Sequence, residues 1–231
     1  MSDVGKTASL DSYVACLSSI YGEGVKFVLV AGHAVNYWAN YYLSRDEDIK
    51  SFRPFTSKDA DLIGKRDELY RIARLLKGTL QTYRDMRSPV LGVFTTDDDP
   101  PLKLELLQGL YGMGDTDRII ARAKHFGIIP VIDPVLLFVS KASNLGGLDQ
   151  GGRQDEKHLK MMSHITRCYL EDLILAIGEH LTERDVIREL KLMKRLLENR
   201  LPAKGLDLAG LQMTDCLPIG AIKNCEHSKL K

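Results

Sequence analysis

The feature that most limits what this chain can fold into is a change of pattern near residue 133. Before it, short apolar runs alternate with helical periodicities; from Pro134 onward only helical periodicity remains. In the first part, "LDSYVACLSSIYGEG" carries Leu10, Val14, Leu17 and Tyr21 at helical spacing and ends at glycines, which predicts a helix. "KFVLVAG" predicts a short buried strand, joined through Gly32 to a helix over "HAVNYWANYYL". A polar connection, "SRDEDIKSFRPF", leads into "FTSKDADLIG" (55–64), which reads as a strand. The amphipathic "RDELYRIARLLKG" follows, with Leu69, Ile72, Leu75 and Leu76 on one side and Gly78 as its C-cap. "VLGVFTT" and "LKLELLQ" flank the turn-forming "DDDPP" and predict a hairpin. "TDRIIARAKHFG" reads as a short helix and "IIPVI" as a short strand.

In the second part, helices are expected over 134–145, about 153–168, 170–181 and 183–200, with the glycine-rich "GGLDQGG" between the first two. The stretch after residue 200 is weakly patterned and predicts a loosely ordered tail. The expected fold class is therefore α/β (α+β): a mixed sheet with flanking helices over 1–133, then a helical C-terminal domain over 134–231.

Bulk composition narrows the functional classes only a little. With 231 residues the chain can bury a sizeable core, and 32 basic against 31 acidic residues leave a net charge of +1. A polyanionic partner would therefore need a local basic patch. Cys16, Cys168, Cys216 and Cys225 form no CxxC pair and the histidines lack zinc spacing, which predicts free thiols in a reducing compartment. No basic stretch followed by an apolar core opens the chain, and no apolar run approaches the roughly 20 residues of a membrane helix. The expectation is a cytoplasmic protein without a membrane partner.

Three features of the first part carry chemistry. The strand–glycine–helix junction "VLVAGHAVNYW" offers free N–H groups at a helix start, an anion site that glycine lets a phosphate approach. Asp59 and Asp61 alternate with Ala60 and Leu62, so as a strand they share one face with Ile63. Two such carboxylates are costly side by side unless a cation lies between them. In "LKLELLQ", Lys103, Glu105 and Leu107 alternate with Leu102, Leu104 and Leu106, placing Glu105 as a polar residue on a central-looking strand. An anion site beside three carboxylates is what metal-assisted phosphoryl transfer requires. Each piece alone also has a structural reading: a tight strand–helix junction, a solvated strand end, and a glutamate paired with a nearby lysine.

The order of these pieces resembles the nucleotidyltransferase superfamily that includes DNA polymerase β, most closely its small AbiEii-like and minimal nucleotidyltransferase branches. The matching text is "FVLVAGHAVNYWA", "RPFTSKDADLIG" and "LKLELLQ", followed by "VIDPVLLFVSKASNLGGLDQGGRQDEKHL", and together they span roughly residues 26–160. The resemblance implies that Asp59 and Asp61 bind two Mg²⁺ (or Mn²⁺) ions. It implies that Glu105 completes the metal site and acts as general base, and that Gly32 and the His33 backbone contact the phosphates of an NTP. Ser57 and Lys58, just ahead of the acids, and Lys141, Arg153 and Lys157 join the expected nucleotide-binding set. Arg153 and Lys157 are read as i, i+4 neighbours on a helix.

The chain departs from the family pattern at three places. Ala31 and His33 flank Gly32, Glu105 is one methylene longer than the usual Asp, and His158 follows Lys157 where the family has an acid. The implied reaction moves a nucleotide from an NTP to an acceptor hydroxyl of RNA (a tRNA end), a protein or a small molecule such as an aminoglycoside, with a toxin's role and a cognate antitoxin as partner in view. Two alternatives stay open: a catalytically degenerate module that binds nucleotide, and an interaction protein that binds a partner only. Met161 and Met162 read as packing with no assigned function; the aromatic run around Trp38 reads as core, with a face that stacks a nucleobase or meets a partner as its alternative.

Overall fold

A five-stranded mixed sheet organises the first half of the chain. The computed structural model describes residues 7–83, 88–114, 116–125 and 127–224. They divide into two units. One comprises residues 1–37 and 54–133, the other residues 38–53 and 134–231.

In the first unit, strand β1 (Ala8–Ser9) pairs antiparallel with β3 (Thr56–Ser57) in a small ladder, and helix α1 (Asp11–Gly22) follows β1. The main sheet has the order β2 (Val28–Val30), β4 (Ala60–Ile63), β7 (Lys103–Leu107), β6 (Val90–Thr96), β5 (Gly78–Thr82). Only the β4–β7 pair is parallel. The alternation read in the sequence is realised: Ala60, Leu62, Leu104 and Leu106 are buried, while Asp61, Lys103 and Glu105 are part-exposed. Helix α3 (Arg66–Leu75) buries Leu69 and Ile72 together with Glu68, whose carboxylate accepts from the Lys26 N–H and from Arg71. The expected β6–β7 hairpin is present, with a cis peptide at Asp99–Pro100 in its connection.

Several local expectations are corrected here. Gly78 does not cap α3; Leu76 does, and Gly78 opens β5, where a Cβ would lie 2.1 Å from the Thr95 carbonyl oxygen. The "IIPVI" stretch forms no strand. Pro130 has no N–H to give to a ladder, and only Val131 bridges, to Leu29 on one side and Lys124 on the other. Helix α4 is short, Thr116–Ala121.

Helix α2 (Ala31–Tyr42) begins directly after β2, and the chain passes from the first unit into the second within it. In the second unit, Asp46 caps a 3₁₀ turn, Glu47–Phe52, by accepting from the Asp48 N–H at 3.0 Å. The rest is helical: α5 (Pro134–Gly147), α6 (Asp155–Leu175), α7 (Glu183–Leu197), α8 (Arg200–Ala209), a short 3₁₀ turn at Met213–Cys216, and α9 (Ile219–Asn224). The break expected between 168 and 170 does not occur, because "CYLEDLIL" holds neither glycine nor proline and α6 runs on to Leu175. Helix α6 also starts two residues later than expected, which leaves Arg153 ahead of the helix rather than one turn before Lys157 upon it. Residues 200–209, read as loose, form α8 packed on α5; residues 225–231 of that tail lie outside the described residues. Among the described residues no helix is long and apolar enough to cross a membrane.

Candidate functional site

The register of the sheet brings the predicted acids together. Asp61 lies directly opposite Glu105 on the parallel neighbour β7, and on its other side opposite Val30, the last residue of β2. Because α2 begins at the next residue, the helix start emerges beside Asp61. Asp59 precedes β4 in the bend after β3. The cation that this crowding demands belongs to the chain itself. Lys103 Nζ stands 2.5 Å from Glu105 Oε1 and 3.5 Å from Asp59 Oδ2. Burial works against the ammonium, but the hydrogen bond and charge of Glu105, with Asp59 behind them, outweigh it and hold Lys103 above the ordinary lysine value.

Two further side chains join the group, one of which the sequence analysis did not single out. The Tyr13 hydroxyl donates to the Lys58 carbonyl at 3.5 Å, and its ring lies 4.6 Å from that of His33. Tyr13 is raised above the usual phenol value by burial first and then by the negative charge of Asp59 and Asp61, with Lys103 opposing. Its contribution is invisible locally because it comes from α1, 45 residues before Lys58. Ser57 sits in β3 paired with Ala8, and the exposed Lys58 lends its backbone rather than its ammonium to this contact.

The start of α2 is strained. Ala31 has φ +53°, a left-handed conformation that costs a residue with a Cβ about 1–2 kcal/mol. Gly32 and His33 are buried in the turn that follows. His33 Nδ1 faces the Asn36 amide nitrogen at 3.4 Å, so the neutral ring carries its proton on Nε2. That Nε2, like Asn36 Oδ1, is buried without a hydrogen-bond partner among the described residues. Burial lowers His33 from 6.5 to about 4.

The folded protein therefore binds fewer protons than the unfolded chain between these two values. Stability from this residue is complete above about pH 6.5 and is lost as pH falls toward 4, by about 3 kcal/mol in all. In denaturant titrations across that window, the His33→Phe variant is expected to lack this share of the acid sensitivity. An unchanged slope would mean that His33 is protonated without penalty.

In the second unit Lys141 and Arg153 meet at one carboxylate. Lys141 Nζ is 3.0 Å from Asp155 Oδ1 and Arg153 Nε 2.5 Å from Oδ2, with the Lys141 and Asp155 side chains 5% and 2% exposed. Burial would raise Asp155, but Lys141 and then Arg153 pull it below the usual carboxylate range. Burial lowers Lys157, which stands part-exposed on the first turn of α6.

A second group lay unnoticed in the polar connection before Pro54. Asp46, Asp48 and His164 bring one ligand atom each within 4.8 Å of one another. The Arg167 guanidinium already lies 2.6 Å from the same Asp46 oxygen that meets His164 at 3.0 Å. A local cation and the capping of the 3₁₀ turn thus account for these charges, and no sequence signal joins residues 118 positions apart.

No protein-family model and no curated relative matches the chain. Among solved structures, it is similar to an H. pylori protein named provisionally as a nucleotidyltransferase, at 15% identity and a TM-score of 0.45, over 94% of this chain and 96% of that one. It is also similar to JHP933 from Helicobacter pylori, at 14% identity and a TM-score of 0.39, over 87% and 95% of the two chains. Likenesses this distant carry no argument about chemistry.

Proposed function

We propose that the chain is a metal-dependent nucleotidyltransferase that moves a nucleotide from an NTP onto an acceptor hydroxyl in the cytoplasm. The observation that carries this reading is the meeting of Asp59 and Glu105 at the Lys103 ammonium, with Asp61 opposite Glu105 in the ladder and the strained start of α2 one residue beyond its other neighbour, Val30. Asp59, Asp61 and Glu105 would supply oxygen ligands with no softer donor among them, the kind that Mg²⁺ or Mn²⁺ takes. The Lys103 ammonium already stands where a positive charge is favoured, between Asp59 and Glu105. When bound, the metal would neutralise phosphate charge and polarise the α-phosphate.

The chain's own residues divide the remaining work. The Gly32 and His33 backbone N–H groups receive phosphate oxygens; Ser57 and Lys58 flank the acids. Glu105 takes the proton of the acceptor hydroxyl. That oxygen bonds to the α-phosphorus as the bond to the bridging oxygen breaks, and pyrophosphate leaves with the electron pair. Lys141 and Arg153 are committed to Asp155, so the proposal does not depend on them. The AbiEii-like branch, and a toxin held by a cognate antitoxin, belong to the same proposal.

A degenerate module that binds NTP without transferring it is the second reading. It is favoured by the ease with which Lys103 neutralises Asp59 and Glu105 without a metal. Label from α-³²P NTPs is to be followed into RNA, protein and small-molecule fractions with Mg²⁺ or Mn²⁺, beside calorimetry of NTP binding. Metal-dependent transfer that EDTA abolishes is expected. Binding without transfer would select the second reading, and absence of binding with either metal would overturn both.

A further inference from the structure

The face of the sheet that carries the acids continues past them. One cross-strand row runs Asp61, Glu105, Val93, Gln81, from β4 to the edge strand β5, and the adjoining row pairs Lys103 with Thr95 and Thr95 with Thr79. On this face lies a cleft of about 390 Å³ whose lining includes Gln81, Tyr83, Val93, Thr95, Lys103 and Glu105. We infer that this cleft receives the acceptor, and that the acceptor is an uncharged, hydroxyl-bearing molecule of nucleoside size. The inference rests on the nucleotidyltransferase reading and supplies the substrate class which that reading leaves open.

Three properties of the cleft carry it. The first is charge. Among the described lining residues only Lys103 and Glu105 are charged, and they are paired with each other at 2.5 Å. A polyanion such as RNA needs several cations along its backbone, and an aminoglycoside needs several carboxylates. The described lining residues hold one cation and one carboxylate, already paired.

The second property is the kind of polar group present. Gln81 provides an amide that both donates and accepts, Thr95 and Tyr83 provide hydroxyls, and Val93 beneath them is buried. Such groups select by hydrogen bonding, and Tyr83 adds an aromatic surface for a flat ring.

The third is reach. Glu105 and Gln81 are two strands apart in one row, about 10 Å at the usual strand spacing. A molecule of nucleoside length spans that distance, with one hydroxyl at the Glu105 carboxylate and its far edge at the Gln81 amide. The volume lies within the range of small-molecule sites, about 300–1,000 Å³.

The test uses the full chain, with uridine and adenosine as uncharged probes and kanamycin and bulk tRNA as charged ones. Binding is read by saturation-transfer NMR and calorimetry, and ATP binding with Mn²⁺ is measured separately. Wild type is expected to bind at least one nucleoside, and Gln81→Ala and Thr95→Val to weaken that binding by about tenfold each while leaving ATP binding unchanged. Gln81 is exposed and Thr95 part-exposed, so both variants should fold. Nucleoside binding that responds to these variants, even where no transfer occurs, supports the cleft while the enzymatic reading fails. Transfer into tRNA or kanamycin that ignores both substitutions overturns the inference and leaves the enzymatic reading intact. Absence of binding by either nucleoside to a wild type that binds ATP also overturns it.

Discussion

Replacing Asp59 and Asp61 together with asparagine is expected to lower nucleotide transfer by at least about 10³-fold while leaving the fold as stable as before, or slightly more so. Asparagine keeps the volume and planar shape of aspartate, so the packing of Ala60 and Leu62 beneath it is undisturbed. What changes is charge. Asp61 lies opposite Glu105 in the ladder, and like charges directly opposite each other destabilise a sheet. Removing two carboxylates relieves that repulsion, and Lys103 keeps Glu105 as its partner. Transfer measured with α-labelled NTP, beside a thermal melt of the same preparation, separates the two effects. Full activity in the double variant would remove these residues from the chemistry. A melt lowered by many degrees would show instead that the acids serve the fold.

The second large effect is structural. Helices α5 and α8 meet at two glycines: a Cβ on Gly205 would lie 1.9 Å from the Ala142 carbonyl oxygen, and one on Gly146 would lie 2.0 Å from that of Leu201. Both obstacles are backbone atoms within helices, so no side chain can rotate away. Gly205→Ala, a favourable change in an isolated helix, is here expected to cost about 3 kcal/mol or more, because the helices must separate along their whole crossing. Pro202, Leu206 and Ala209, buried on the same helix, would lose their packing. Denaturant midpoints of Gly205→Ala against wild type measure the loss. A difference under about 0.5 kcal/mol, the usual size for a neutral surface change, would mean the helices do not approach so closely.

That contact also explains what the sequence hid. Residues 200–209 contain Pro202 and Gly205, both poor in helices, so local propensity argues against α8. The glycine is there because another helix passes close by, which no local window records. Strand β5 escaped for a different reason: "GTLQT" is an edge strand with four of its five residues exposed, so burial imposes no alternation to read. Where one face is buried and the other is not, as in "KDADLI" and "LKLELL", side-chain direction was legible residue by residue. Asp61 and Glu105, read on outward positions, stand opposite each other in the ladder, whereas Asp59 lies in the bend ahead of β4 rather than on the continuous strand expected over 55–64. Their cation was not identified, since Lys103 joins Asp59 only once β4 and β7 are paired, and Tyr13 and His33 meet across two helices.

The path of the chain through its two units sets a timetable for synthesis. Trp38, Tyr42 and Ile49, all fully or nearly fully buried, belong with the helices that begin at Pro134. Tyr42 donates to Asp172 at 2.9 Å, and Asp46 meets His164 and Arg167 at 3.0 and 2.6 Å. None of these partners exists when residues 38–53 leave the ribosome. At about 5–20 residues per second the interval before the first of those helices is made is several seconds. Through that time an aromatic segment waits uncovered, a natural client for a chaperone. A chain cut after residue 133 would carry the same uncovered segment permanently.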